Sequence, residues 1–538
     1  MSLTNPASIP QSAVMRTLAI PELMTAVLQD ASESDLLCFI QVSRAMFHIA
    51  VPLLWRNATS GSIIQLIDFK NVSEGTQEGK NDGVNEFLGH KLIGPFGRFD
   101  IYAQYVEVLE IDDEYRDCLH WNDIQREADT RPTPLLPRLK AMRFMEHASS
   151  SYRATELEWI QAFATFDMEE FSFFPSSSKI GGGIPYSYAS VILGELCLRS
   201  PKIRILRLPA DDEILTDDNT IPLKYMLVLL SRALKPPIWY SHLQHMPNLC
   251  DLTVSNGWLY PPCLEAIANL PNLTTLSIRP GGYGDFDSEE EIDTDSESIE
   301  FSTDAFPALS KLSIRRLPAS EIIRVLEVKS MLRGITTLDL QFGLANHGFS
   351  TEDPQTIILK LFKALGSLPR LQMLIIRIRP SSEVKGPIDI SEHLPSLGNP
   401  TLVKFLHLRG MRIDPDWPFE LGLESLWQNV EALIMPTQTA SVRELSLFAT
   451  MPKLRYLEVD LNFEQPYIPE RLNRGHSLTM CLMGTGAICL SKDFERLALI
   501  ARYGVSVTIF STSTYIDMVQ STTFSLAEHP ICILVRRR

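Results

Sequence analysis

The sequence predicts an α/β chain in which an N-terminal three-helix segment is followed by an irregular repeat solenoid of parallel strands alternating with helices. Three observations predict it. Eleven segments between residues 136 and 459 carry L-x-x-L-x-L or a close variant, helix-compatible stretches lie between them, and residues 18–58 hold a separate group of short apolar segments. Self-similarity every 20 to 50 residues marks a repeat architecture, in which each unit buries its apolar face against its neighbours.

Residues 1–17 contain one basic residue and no apolar stretch of the kind that directs secretion, and they read as a flexible, unprocessed terminus. Residues 18–58 follow. Pro21 suits the first turn of a helix, Ser32 or Ser34 can cap a second, and Ser43 can cap a third. The stretch VPLLWRN (Val51 to Asn57) closes the segment with an aromatic ring. Three helices of this length enclose only a few side chains. The surplus of leucines, with Trp55, is therefore expected to form an exposed patch of the kind that marks an interaction site. Two placements remain for Trp55: against a partner, or internally, with the helices capping the open end of the repeats. Residues 59–104 read as a connecting region.

The repeats then run from residue 105 to residue 511. Their segments are LPRLKAMRF, MEEFSF, SPKIRILRL, MPNLCDLTV, LPNLTTLSI, FPALSKLSI, RGITTLDL, LPRLQMLII, NPTLVKFLHL, QNVEALIM and MPKLRYLEV, with YVEVLEI (Tyr105 to Ile111) as a twelfth. The first apolar anchors fall at Leu139, Met168, Ile203, Leu249, Leu273, Leu309, Ile335, Leu371, Leu402, Val430 and Leu454. In each, the L-x-L pair alternates in and out as a short strand and the first apolar residue fills the bend before it. Apolar positions at intervals of 3 and 4 predict helices over Ala319 to Leu332 and Pro354 to Leu368. Phe494 to Ser511 reads as a closing helix and strand, leaving 512–538 as a C-terminal segment. One insertion stands apart: Asp285 to Asp304 carries ten acids and no base, too little apolar surface to offset the entropy of ordering, and is expected to be disordered.

Residues that alternate with buried leucines point out of the sheet. After L-x-L, successive repeats offer Arg279, Arg315, Gln341, Arg377 and Arg409, which in register would lie about 4.8 Å apart as a basic strip. Such a strip suits an acidic or phosphorylated target segment. The Arg409 repeat is one residue longer than the others, so its place in the column is the least defined.

These repeats, over roughly 105–460, resemble leucine-rich repeats of the long, irregular kind, without a regular asparagine or cysteine after L-x-L. The segment Leu18 to Trp55 resembles an F-box, on the residues IPELMTAVL, SDLLCFIQVSRAMFHIA and PLLW. Ile20 stands where that family has leucine, and Gln29-Asp30-Ala31 where a more apolar pair is common. The resemblance implies docking on the Skp-type adaptor of a cullin-RING ubiquitin ligase through Pro21, Leu23, Val27, Leu28, Leu36, Leu37, Val42 and Trp55.

Composition and motifs narrow the function. A net charge of −16 argues against a phosphate-neutralising nucleic-acid binder and against stable attachment to anionic membranes. Eight cysteines without a CxxC pair read as reduced thiols of a cytoplasmic or nuclear protein. The chain contains no GxxxxGK[ST], GxSxG or HExxH. His242 and His245 form an HxxH with no third ligand at telling spacing, and Ser176 to Lys179 is an SxxK without companion motifs. The expectation is a non-enzymatic protein without cofactor. Two roles follow from the residues: a ligase subunit that recognises a target protein, or an interaction scaffold acting without a ligase.

Overall fold

The computed structural model describes residues 20–67, 69–71, 90–92, 97–112, 121–145, 155–174, 184–208, 210–211, 239–255, 261–279, 301–302, 304–317, 319–343, 353–379, 386–397, 402–414, 423–440, 448, 451–461, 478–484, 506–511 and 531–536. The N-terminal segment 1–17, most of the acidic insertion and the helical part of Phe494 to Ser511 lie outside the described residues. The chain divides into two compact units, Met1–Cys250 and Asp251–Arg538.

The first unit opens with α1 (Pro21–Leu28), α2 (Glu33–Val42) and α3 (Arg44–Leu54). Pro21 sits in the first turn of α1, where its missing N–H costs nothing. Ser32 caps α2 in a reciprocal box, accepting from the Asp35 N–H at 3.2 Å while Asp35 Oδ2 accepts from the Ser32 N–H at 3.3 Å. Ser43 ends α2 and caps α3, accepting from the Met46 N–H at 3.2 Å. The three helices close on Met24, Leu28, Leu36 and Ala50, with Phe39, Ile40, Ile49, Leu53 and Leu54 packed around them.

A parallel ladder follows at once. β1 (Asn57–Thr59) pairs with β2 (Val108–Ile111), and β3 (Ala141–Met145), β4 (Glu170–Phe174) and β5 (Ile205–Arg207) add in sequence order. The first strand thus spans the boundary at residue 58 and joins the sheet, although it lacks the leucine motif. Helices α4 (Gly97–Ala103), α5 (Trp121–Thr130), α6 (Thr155–Phe163) and α7 (Tyr186–Arg199) lie between strands in the chain, the alternation that parallel pairing requires.

The second unit repeats the design. Strands β6 (Asp251–Ser255), β7 (Thr275–Arg279), β8 (Lys311–Arg315), β9 (Thr337–Gly343), β10 (Met373–Arg379), β11 (Phe405–Arg409), β12 (Ala432–Ala440) and β13 (Tyr456–Leu461) pair in parallel in that order. Helices α8 (Pro261–Ala268), α9 (Ala319–Glu327) and α10 (Pro354–Gly366) fall between them, and the predicted 319–332 helix is broken at Val328 into α9 and a further turn over Lys329–Leu332.

Register explains the leucines. The pair Leu312 and Ile314 lies opposite Leu338 and Leu340, then Leu374 and Ile376, then Leu406 and Leu408, and all eight are buried. Fully burying each such side chain contributes roughly 1.5–3 kcal/mol. Each strand starts two residues after a buried anchor, here Leu309, Ile335 and Leu371. One anchor is corrected: Leu402 is exposed, and Val403 fills the bend. Met373 pairs with Phe405, which places Val403 opposite Leu371, so the extra residue of NPTLVKFLHL is absorbed before the strand.

The chain does not finish its sheet at residue 511. After β13 come β14 (Leu478–Gly484), β15 (Ser506–Ser511) and β16 (Ile531–Arg536), and β16 is inserted between β13 and β14. Its continuous apolar run Ile531 to Val535 is what a strand paired on both sides of a parallel sheet needs, and it has no leucine anchor to advertise it. No described helix is long and apolar enough to cross a membrane.

Candidate functional site

Two surfaces carry the residues singled out by sequence. The first is the outside of the N-terminal helices. Among the described residues, five of the nine large apolar side chains left exposed are Ile20, Leu23, Val27, Leu37 and Val42. Leu23 and Val27 are one helical turn apart on α1, so they share its outer face, while Met24 and Leu28 share the inner one. Val27 and Val42 are the extreme cases, at 66% and 70% exposure.

Of the eight predicted adaptor contacts, Pro21, Leu23, Val27, Leu37 and Val42 are therefore presented to solvent. Leu28 and Leu36 are not: they form the interior of the bundle, because three short helices need that many inward leucines to close. Trp55 is half-buried and stacks on Tyr102 of α4, ring centroids 4.7 Å apart and planes 27° apart. Its internal contact is thus real, and part of the ring remains accessible.

The second surface is the sheet face of the second unit opposite the leucines. Arg315, Gln341, Arg377 and Arg409 are direct neighbours in register, and Arg279 precedes them at the same position of β7. The column exists, but it is not a free basic strip. Asp339, between Leu338 and Leu340, lies on the same face and bridges two of its members, accepting from Arg315 Nη2 at 3.0 Å and Arg377 Nη1 at 2.9 Å. In the amide orientation that satisfies both groups, the Gln341 oxygen accepts from Arg379 Nε at 3.1 Å and Nη2 at 3.0 Å. Sequence reasoning missed Asp339, although an acid inside L-D-L, on the face of the arginine two residues later in each neighbouring strand, was the available signal.

Replacing Asp339 with asparagine is expected to cost about 1–2 kcal/mol in denaturant unfolding. The carboxylate is nearly buried, but both guanidiniums keep solvent contact, which screens the loss. The first unit uses the same device. Glu170 accepts from Arg143 Nε at 3.0 Å and Nη2 at 2.9 Å and from Arg207 Nη1 at 3.1 Å. Burial pushes this carboxyl up, yet the hydrogen bonds from Arg143 and Ser172 and the charges of Arg143 and Arg207 hold it below the usual carboxylate range.

His407 pairs with Ile375 on this face and is mostly buried. Burial first, then the neighbouring Arg377 and Arg409 charges, push its pKa down to about 4 against the opposing pull of Asp339. The unfolded chain, with an ordinary pKa near 6.5, therefore binds the proton first as pH falls. Stability from this group is complete above about pH 6.5 and declines as pH drops from there toward 4. His407→Gln should flatten that limb of the stability-against-pH curve relative to wild type; superimposable curves would remove His407 as its cause.

Among the described residues no group of three or more His, Cys, Asp or Glu side chains is placed to hold a metal. The free thiols Cys197 and Cys263 are pushed up by burial, to about 11 and about 12, and so carry little thiolate at neutral pH.

No protein-family model matches the chain, and no curated protein matches it. Among solved structures the chain is similar to an internalin from Listeria monocytogenes, at 13% identity and a TM-score of 0.30 over 68% of this chain and 78% of that one, a superposition too loose to argue from.

Proposed function

We propose that the chain is the substrate-recognition subunit of a Skp-cullin-F-box type ubiquitin ligase, its N-terminal helices docking on the adaptor and its leucine-rich repeats binding a target protein. One observation carries the reading. The bundle's interior is already filled by Met24, Leu28, Leu36 and Ala50, yet Ile20, Leu23, Val27, Leu37 and Val42 stay outside it as an apolar surface. That many exposed apolar side chains on so small a unit is what a partner would cover. The subunit itself performs no chemistry; it holds a target lysine near ubiquitin activated elsewhere in the complex, an effect of proximity. Its cysteines, without a disulfide framework in the sequence, suit a reducing compartment, the cytoplasm or nucleus.

A second reading keeps the repeats as a binding scaffold and treats the helices as a cap. It is favoured by the stack of Trp55 on Tyr102 and by β1, which follows α3 directly and joins the sheet. Co-purification of the full chain with a Skp-type adaptor separates the two. Capture supports the ligase subunit, and its failure leaves the scaffold.

A further inference from the structure

The C-terminal ends of β8, β10 and β11 bring together more positive charge than the sheet face can neutralise. Arg315 and Arg377 share Asp339, and Arg379 and Arg409 lie beyond them on exposed positions of adjacent strands. Arg316, also exposed, follows β8 in the left-handed region at φ 61°, its N–H donating to the Gln341 carbonyl at 2.5 Å. Among the described residues these five guanidiniums meet one bridging carboxylate, Asp339, a local excess of four positive charges. Holding a non-glycine residue in that conformation costs about 1 kcal/mol or more, the kind of strain found where a side chain must be aimed.

Beside this corner the same face turns apolar. Met373 pairs with Phe405, and Ile375 with His407; Met373, Ile375 and Phe405 are each half-exposed. Phe405 and Arg409 are four residues apart on one strand, about 13 Å at 3.3 Å per residue. A partner segment laid along the strands in extended form meets both.

We propose that this corner binds a phosphorylated side chain of an extended partner segment, with an apolar side chain about four residues away seated on Met373, Ile375 and Phe405. The proposal rests on reading this sheet face as the partner-binding surface. A single carboxylate is already satisfied by two of these arginines, as Asp339 shows. Arg316, Arg379 and Arg409 come from three strand ends and suit the three oxygens and near-double charge of a phosphomonoester. Burial, and then the charges of Arg316 and Arg409, hold the Arg379 guanidinium below its ordinary value, so an arriving anion relieves repulsion already present.

The test uses the full chain and fluorescence anisotropy at 150 mM salt. The probes are two labelled peptides carrying leucine and phosphoserine four residues apart, one in each order, in a glycine-serine background, with unphosphorylated and leucine-to-serine forms of each. One order should bind, with the unphosphorylated form at least 30-fold weaker and the serine form at least 10-fold weaker. Arg379→Gln with Arg409→Gln should erase the preference for phosphate, so that the phosphorylated and unphosphorylated peptides bind the variant alike; these exposed side chains make misfolding avoidable, and a melting curve checks it. Equal binding with and without phosphate, or an unchanged preference in the double variant, overturns the phosphate assignment. If phosphate adds nothing but Phe405→Asp abolishes binding, the partner-binding face stands and only the phosphate assignment falls. If no peptide of either order binds, the phosphate assignment and this face as its seat both fall.

Discussion

Gly410→Ala will destabilise the second unit by about 3 kcal/mol, far more than an exposed substitution beside it. Two independent demands meet at this residue. Its φ is +83°, a conformation that L side chains rarely adopt and that costs alanine about 1–2 kcal/mol. An added Cβ would also fall inside contact distance of the Ile378 carbonyl oxygen on β10, and a backbone oxygen cannot rotate away. The displaced turn would then strain two further links: the Gly410 N–H donates to Thr437 Oγ1 at 2.9 Å, and its carbonyl accepts from the Ile388 N–H at 2.9 Å. Gly410→Asn separates the causes, because asparagine tolerates the left-handed region but brings the same Cβ. If both variants lose stability alike in denaturant unfolding, the contact dominates; if asparagine recovers most of it, the dihedral does. A loss below 1 kcal/mol for alanine would show that neither constraint holds.

What was legible in advance follows from how local each signal is. The leucine pairs were visible because burial on one side of a parallel ladder imposes a period of two, and a bend residue two positions earlier fixes each strand's start. That is why Leu338 and Leu340, or Leu374 and Ile376, could be placed without coordinates. The helix caps were equally local: Ser32 and Ser43 each bond within three residues. The Leu402 anchor failed because one extra residue before a strand shifts the pattern, and only pairing with β10 shows which of Leu402 and Val403 turns inward. β16 was hidden because its partners lie 53 and 76 residues back in the chain (Leu478 opposite Ile531, Tyr456 opposite Cys532), and nothing in ICILVR names them. The same limit governs the surfaces. A column of arginines could be read from register, but the bridging of two of its members by Asp339 depends on diagonal contacts across two strands. Among the N-terminal apolar residues, composition could not say that Leu28 and Leu36 face in while Val27 and Val42 face out.

That last distinction sets the second large effect. Val27→Asp with Val42→Asp is expected to weaken capture of a Skp-type adaptor at least 100-fold while leaving the helices folded. Both side chains are exposed by about two thirds, so charge there costs the isolated chain little, whereas burying two unpaired carboxylates under a partner is strongly unfavourable. Central anchors of such interfaces commonly contribute 2 kcal/mol or more each, and 1.4 kcal/mol is tenfold in affinity. The necessary contrast is Leu28→Ala, which opens a cavity among Met24, Leu36 and Ala50 and should cost 2–5 kcal/mol of bundle stability, a range typical of such truncations. It would reduce capture only by unfolding the helices. Trp55→Ala should fall between them, since it removes the stack on Tyr102 together with whatever the exposed part of the ring contributes. Adaptor pull-down and helical circular dichroism, measured on all three, separate these outcomes. Lost capture with intact helical signal in the aspartate pair supports docking through the outer faces of α1 and α2. Undiminished capture in that pair would mean that the adaptor does not sit on this surface, and an adaptor that never binds the wild-type chain would leave the exposed valines to a different partner and the repeats to a scaffold.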